Sequence, residues 1–334
     1  MKKFLSLAAA GLLVFNAANA GSITVANSDI ELFGGVSAGY FYTTNPCDSG
    51  CADPNNDYFT VSSFAIGLTS KVNSTIGFSA SFGSSPQSDL LGLETSKSFG
   101  PEFAYVSINP VEGLTLDAGL LTTNIGYELY HTWENPNYTF GMVWWGQPVT
   151  YPGARATYNV AEGIDVYAEY NHDSGEAFAI GSLGSIAGID YAISYYDYSA
   201  QKNLVDLVLS TNIAGIDVAL NADYQWLDDS AKTSGQDDSA YGVALYILPK
   251  LTDTISLPIR LEYVNEGTSE IYGVAGDSAW SVTITPTWSP TSNTYLRAEV
   301  AYVATDEKGF YDGPTAADAD DNRTFVGVEA GFRF

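Results

Sequence analysis

Apolar and polar residues alternate along this chain in sixteen stretches of about nine to twelve residues, and the links between them are by turns short and long. From 216 to 226 the even positions are Ile216, Val218, Leu220, Ala222, Tyr224 and Trp226, while the odd ones include Asp217, Asn221, Asp223 and Gln225. From 255 to 263 the odd positions Ile255, Leu257, Ile259, Leu261 and Tyr263 are apolar, with Ser256, Pro258, Arg260 and Glu262 between them. The same dyad recurs at 74–83, 114–121, 164–171, 189–196, 204–212, 280–288 and 295–303, and less regularly at 31–43, 58–69, 101–109, 153–160, 177–183 and 240–248. Successive side chains of a strand point to opposite faces, so each stretch predicts a strand with one greasy and one wet face. A soluble sandwich would use the same alternation, but the links argue against it. Lys71-Val72-Asn73, Val111-Glu112-Gly113, Ala161-Glu162-Gly163, Ile213-Ala214-Gly215 and Pro290-Thr291-Ser292-Asn293 are tight turns, whereas 44–57, 227–238 and 304–322 are long, acidic and polar. One rim of tight turns and one of long loops describes an all-β, 16-stranded antiparallel transmembrane β-barrel with both termini on the short-turn side.

The chain holds no alternative way across a bilayer. Lys2 and Lys3, an apolar stretch 4–15 and Ala18-Asn19-Ala20 read as a secretory signal at 1–20, leaving one domain at 21–334. Twelve apolar residues are too few for a spanning helix, and no later segment comes near the required length of about 18–20. A closed sheet is the other structure that satisfies every backbone group in lipid. In an exported chain Cys47 and Cys51 are expected to form a local disulfide worth roughly 2 kcal/mol, since no nearby His or further Cys would complete a metal site.

Charge narrows the partners. With 39 acidic against 13 basic residues the net charge is −26, which excludes nucleic acid. The 23 Tyr, 16 Phe and 6 Trp exclude an acidic disordered chain. Tyr40, Tyr42, Tyr195, Tyr198, Trp226, Trp280, Trp288 and Tyr302 lie near strand ends, where their amphipathic rings suit a membrane interface.

The last stretch, Thr324-Phe325-Val326-Gly327-Val328-Glu329-Ala330-Gly331-Phe332-Arg333-Phe334, sets Val326, Val328, Ala330, Phe332 and Phe334 on one face and Glu329 and Arg333 on the other. It resembles the C-terminal signal by which Gram-negative outer-membrane proteins meet their assembly machinery. The resemblance implies an outer-membrane location, contact with the lipid bilayer and lipopolysaccharide, and recognition through Phe334.

The third long link, 122–152, is the longest and the most aromatic. A connection of that length is normally functional or disordered, and Trp133, Tyr138, Phe140, Trp144 and Trp145 need something to pack against. In general porins of sixteen strands the third external loop folds into the barrel, and this loop has the same ordinal position. Between 114 and 158, Gly119, Thr122, Ile125-Gly126-Tyr127-Glu128, Asn135, Tyr138, Pro148 and Gly153-Ala154-Arg155 resemble the OmpL-like putative beta-barrel porins. That resemblance implies an outer-membrane porin passing small hydrophilic solutes and ions by passive diffusion, without cofactor or covalent chemistry, and by analogy with general porins a homotrimer.

Pore function rests on width and lining charge. If apolar positions face lipid, the lumen receives Asp117, Asp165, Glu169, Asp190, Asp206, Asp217, Asp223, Glu262, Glu299 and Glu329 against Arg155, Arg260, Arg297 and Arg333, which predicts cation preference. The expected narrow zone sets Arg155, Arg260 and Arg297 against Asp117, Glu128 and Glu134. Trp133, Trp144 and Trp145 are candidates for a sugar-stacking track, or for anchors of the loop. Acidic external loops, including Asp53, Asp57, Asp237, Asp238, Asp318, Asp320 and Asp321, are read as solvated, with divalent cations bridging to lipopolysaccharide phosphates as the alternative. A hydrolase would have to work with His131 or His172, with no Ser-centred motif nearby. A non-conducting adhesin would need a plug that sixteen strands make hard to supply.

Overall fold

The computed structural model describes residues 22–25, 28–47, 56–70, 76–84, 99–173 and 175–334. The expected leader at 1–20, the turn Lys71-Val72-Asn73 and Cys51 lie outside the described residues, while Cys47 is disulfide-bonded. Sixteen barrel strands follow in order: β1 Ser28–Thr43, β2 Asp57–Ser70, β3 Ile76–Ser84, β4 Gly100–Val111, β5 Leu114–Thr122, β6 Thr150–Ala161, β7 Ile164–Asn171 and β8 Ala177–Ile186. The second half comprises β9 Ile189–Asp197, β10 Lys202–Ile213, β11 Ile216–Leu227, β12 Ser239–Leu248, β13 in the pieces Ile255–Ser256 and Ile259–Asn265, β14 in the pieces Ser278–Ile284 and Thr287–Thr291, β15 Thr294–Thr305 and β16 Asn322–Arg333. A further short strand, Ser22–Val25, folds back on the start of β1. Each barrel strand pairs antiparallel with the next, and β16 closes on β1 from Gly35↔Arg333 to Thr43↔Phe325. Among the described residues no helix is long and apolar enough to cross a membrane.

Turn chemistry fixes the short rim. Ala187-Gly188 and Ala214-Gly215 both hold positive φ at each residue, the geometry that matches the right-handed twist of flanking strands. The expected continuous strands at 255–263 and 280–288 are each interrupted, at Leu257-Pro258 and Thr285-Pro286. Neither proline has an N–H for the ladder. Pairing crosses the gaps through their carbonyls instead: Thr285 donates to the Pro258 oxygen at 2.9 Å and Ala298 to that of Pro286 at 3.1 Å.

Alternation survives as a difference between faces. Val328, Ile180, Leu261 and Val300 lie exposed on the outer wall, while their neighbours Glu329, Glu262 and Glu299 are buried inside. A barrel that shows apolar side chains outward and hides its carboxylates is inside out relative to a soluble protein, as immersion in hydrocarbon requires. Tyr40, Tyr42, Trp280 and Trp288 are exposed on this outer wall, in accord with an interfacial girdle. Tyr198 is not one of them: it is 6% exposed and packs inside with Tyr196.

The interior is less wet than the parity rule implies. Phe41, Tyr246, Tyr272, Phe310 and Phe325 join Tyr138, Met142 and Val143 of the long loop in one buried apolar cluster. A second cluster forms around Leu121, Tyr151, Tyr167, Leu183, Tyr196 and Leu204. Much of the wall between them is charged and buried, and it carries the contacts of the 122–152 loop.

Candidate functional site

Segment 122–152 leaves β5 and returns to β6, and on the way it bonds to side chains of strands far from either. Its first anchor is the 3₁₀ turn Thr132–Glu134. Thr132 Oγ1 donates to Glu329 Oε1 at 2.9 Å and lies 2.8 Å from Ser37 Oγ of β1. Arg297 of β15 pairs with Glu329 at 2.6 Å and donates to the carbonyls of Thr132 and Asn135 at 2.8 and 2.9 Å. His131 sits between Glu102 of β4 at 2.8 Å and Glu134 at 2.9 Å, its ring stacked on Trp133 with centroids 4.5 Å apart. Burial alone would lower its pKa, but the Glu134 charge and the bonds to both carboxylates push it up to about 10.

A second anchor holds the middle of the loop. The amide N–H groups of Tyr138 and Thr139 both donate to Glu299, and the Tyr138 ring packs against both Phe41 and Phe325, stacked on Phe41 at 4.1 Å. Full burial of Tyr138, Met142 and Val143 contributes about 1.5–3 kcal/mol each, comparable to a single net hydrogen bond to a charged carboxylate. Beneath this packing lies Arg260 of β13, fully buried. It pairs with Glu128 of the loop and, at 3.1 Å, with Glu262 of its own strand, and donates to the Thr139 carbonyl at 2.6 Å. Glu128 accepts from Gly141 N–H at 2.7 Å and Glu262 from Val143 N–H at 3.2 Å, so the two carboxylates receive the free amides at the start of the one-turn helix Met142–Trp145.

The third anchor lies on β10 and β11, where Asp206 and Asp223 face each other in register. Gly126 N–H donates to Asp206 at 3.2 Å, Tyr127 N–H to Asn221 Oδ1 at 3.2 Å, and the Gln147 amide reaches both aspartates and Asn221. Lys202 donates to the Gly146 carbonyl at 3.0 Å. At the base of the loop, Arg155 pairs with Glu169 at 2.6 Å and donates to the Thr122 carbonyl and Asn124.

Of the opposed charges expected from sequence, Arg260 and Glu128 meet. Asp117 is Arg155's strand neighbour in register, yet it accepts from Ser107 at 2.5 Å while Arg155 takes Glu169. Glu134 takes His131, and Arg297 takes Glu329. The three tryptophans do not form one track: Trp133 is 7% exposed against His131, Trp144 stacks on Phe140 at 3.8 Å, and Trp145 is 47% exposed. His172 lies apart, edge-on to Tyr170. Parity reasoning passed over Phe41, Phe325 and Glu102. For the two phenylalanines a signal exists: in Tyr40-Phe41-Tyr42 and Phe325-Val326 both parities are apolar, which marks wall with packing on both sides.

The decisive match covers this whole barrel. The family model described as putative beta-barrel porin-2, OmpL-like, matches residues 29–334. The chain belongs to this family. It is accordingly a transmembrane β-barrel of the porin type in the outer membrane of Gram-negative bacteria. No curated protein matches it in sequence. Solved structures with similar folds include OmpT of Vibrio cholerae in its trimer form, with TM-score 0.64 and 11% identity over 92% of this chain and 99% of that one. The outer-membrane channel DcaP of Acinetobacter baumannii gives 0.63 and 14% over 95% and 100%. An anion-selective porin from Comamonas acidovorans gives 0.63 and 11% over 92% and 100%. At these identities the likeness carries the fold, and the solute must be argued from the lining of this OmpL-like porin itself.

Proposed function

We propose that this porin passes small hydrophilic solutes and ions by diffusion, prefers cations, and uses the 122–152 loop as its constriction. The carrying observation is an imbalance of compensation inside the wall. Arg155, Arg260 and Arg297 are each held by a carboxylate at contact distance, Arg260 by two, whereas the partly exposed Asp117 has no arginine or lysine in ion-pair contact among the described residues. Matched pairs cancel at a distance, so the surplus sets the sign of the field along the passage. The zone expected to oppose free charges across water is instead a stitched one: its arginines fasten the loop and leave Asp117 to face ions. The fold neighbour from Comamonas acidovorans is described as anion-selective, so sign is a property of the lining and not of the architecture. Reversal potentials in planar bilayers under a potassium chloride gradient test the reading. A cation-selective potential is expected, which Asp117→Asn reduces; clear anion selectivity overturns it.

Sugar preference has one supporting observation, the half-exposed Trp145 beside the Phe140–Trp144 stack. Liposome swelling that depends on solute size alone would remove it. Covalent chemistry is not part of the proposal: both ring nitrogens of His131 are engaged by carboxylates, leaving neither to activate a hydroxyl. A homotrimer, by likeness to the OmpT trimer form, contact of the acidic loops with lipopolysaccharide, and recognition of Phe334 by the assembly machinery complete the reading. In the folded chain Phe334 exchanges backbone hydrogen bonds with Gly34 at 2.9 and 3.1 Å.

A further inference from the structure

Several aromatic rings of the inner wall are covered by the long loop: Phe41 and Phe325 by Tyr138, and Tyr246 by Tyr127, each wall ring being at most 3% exposed. Phe33 of β1 and Phe103 and Tyr105 of β4 differ. Alternation turns all three inward, yet they stay only half-buried. The Phe33 and Phe103 rings are nearly parallel with centroids 6.2 Å apart, and Phe103 meets Tyr105 at 6.1 Å, so the three form one row. Gly67 of β2, paired with Phe33, makes the row possible: a Cβ there would lie 2.0 Å from the Phe33 ring, which rests across the glycine. The row lies to the short-turn side of Ser37, the point on β1 where the first loop anchor docks.

A carboxylate stands at the Tyr105 end of the row. Tyr105 pairs with Gly119 and Ser107 with Asp117, so Asp117 is the diagonal neighbour of Tyr105 on the inner face, a spacing of roughly 7–8 Å. A cation between them touches both. Asp117 Oδ1 takes the Ser107 hydroxyl at 2.5 Å, and the residue keeps part of its surface open. Arg155, which faces Asp117 across the strands, is committed to Glu169. Gly119 presents no side chain opposite Tyr105 and is itself exposed, which leaves room in the lumen beside the ring.

We propose that Phe33, Phe103, Tyr105 and Asp117 form a subsite in the passage for organic cations with a flat apolar body, the rings taking the body and Asp117 the charge. The inference rests on the cation-preferring reading and names the solute class that such a channel favours. Apolar ring surface left against water is unfavourable in proportion to its area, so a solute with an apolar face gains by covering it. A positive charge within about 6 Å of a ring face gains further from the negative face of the ring. A neutral sugar lacks the charge that Asp117 answers, and an organic anion is repelled by it.

Block of the potassium current in planar bilayers tests this, with phenyltrimethylammonium as the probe and tetramethylammonium as the same charge without a ring. Phenylacetate and maltose serve as the anionic and the sugar comparison. The potassium chloride reversal potential, taken before each addition, reports on the channel reading by itself, so a cation-selective channel that the probe does not block sinks the subsite alone. Phenyltrimethylammonium is expected to halve the current at a concentration at least about fivefold below that of tetramethylammonium. Phe103→Leu and Tyr105→Leu should each raise the half-blocking concentration about two- to fivefold, and Asp117→Asn by at least about as much. Tyr170→Leu, on the outer wall, should leave it unaltered. Heat-modifiable migration on gels verifies that each variant is folded, and the comparison of the two ammonium ions needs no variant. Equal block by the two ions, or wild-type block in folded Phe103→Leu and Tyr105→Leu, would overturn the proposal. Stronger block by maltose or phenylacetate would overturn it too, giving the row to sugars or to anions.

Discussion

Replacing Arg260 by Met should loosen the loop while leaving the barrel intact. In the wild type this guanidinium is fully buried and serves Glu128, Glu262, the Thr139 carbonyl, Thr139 Oγ1 at 3.1 Å and Thr283 Oγ1 at 3.2 Å. Methionine fills the aliphatic part of the volume and strands two carboxylates that are 6% and 5% exposed. Breaking a buried pair in this way costs about 3–5 kcal/mol, because the remaining charge has lost its partner. Glu262 keeps Ser281 Oγ on the wall at 2.7 Å, so most of the loss falls on Glu128 and the loop. With about 1.5–3 kcal/mol each from Tyr138, Met142 and Val143 still in place, that loss shifts the docking equilibrium by roughly 10²- to 10⁴-fold. Single-channel recording should find larger conductance with frequent flicker, and urea unfolding should move modestly. Adding Glu128→Gln removes the stranded charge and should recover about 1–3 kcal/mol, quieting the channel again. Wild-type conductance in Arg260→Met, with no change on adding Glu128→Gln, would refute the reasoning.

Three further outcomes are expected. With its pKa raised from 6.5 to about 10, protonated His131 stabilises docking in full below about pH 6.5, and that contribution disappears as pH rises through about 10. Channel flicker should therefore increase across that window, and His131→Gln should abolish the dependence; a pH-independent wild type would contradict the placement. Val328→Arg puts a charge on the outer wall, where Val328 is 48% exposed, and should cost about 2–4 kcal/mol in lipid vesicles at mid-membrane depth. An unchanged urea midpoint would reverse the assignment of faces. Gly119 on β5 has φ +145° and a Cβ there would lie 2.2 Å from the Ala104 carbonyl oxygen, so Gly119→Val should sharply reduce folded yield on heat-modifiability gels.

The strands were legible because lipid imposes a rule that acts on every second residue, and even some contacts were within reach. Asp206 and Asp223 are equidistant from Ala214-Gly215, so recognising a two-residue turn is enough to place them opposite each other. Arg155 and Glu169 flank Glu162-Gly163 in the same manner, offset by the irregularity between Asn159 and Ala161. The pair Arg297–Glu329 was not readable, since a long external loop separates β15 from β16 and leaves register free. Nor was the fate of the loop aromatics, because alternation says which face a wall residue takes and nothing about what a loop brings to it. Tyr138 and Trp133 found partners that only the closed barrel assembles. Pro258 and Pro286 were visible in the sequence, and their missing N–H groups explain the two strand breaks that a pure alternation count overlooks.

Docking of the 122–152 loop against the inner wall is the proposition on which the proposed constriction depends. Ser37 Oγ of β1 and Thr132 Oγ1 of the loop lie 2.8 Å apart, 95 residues distant in sequence and both buried. Two cysteines at these positions, with Cys47→Ser and Cys51→Ser to remove the native cysteines, would come close to disulfide geometry. Mild oxidation of folded Ser37→Cys/Thr132→Cys should link them nearly completely and hold the channel in its low-conductance form until reduced. Free thiols that label readily from the external solution, with conductance indifferent to oxidation, would mean that the loop lies outside the barrel.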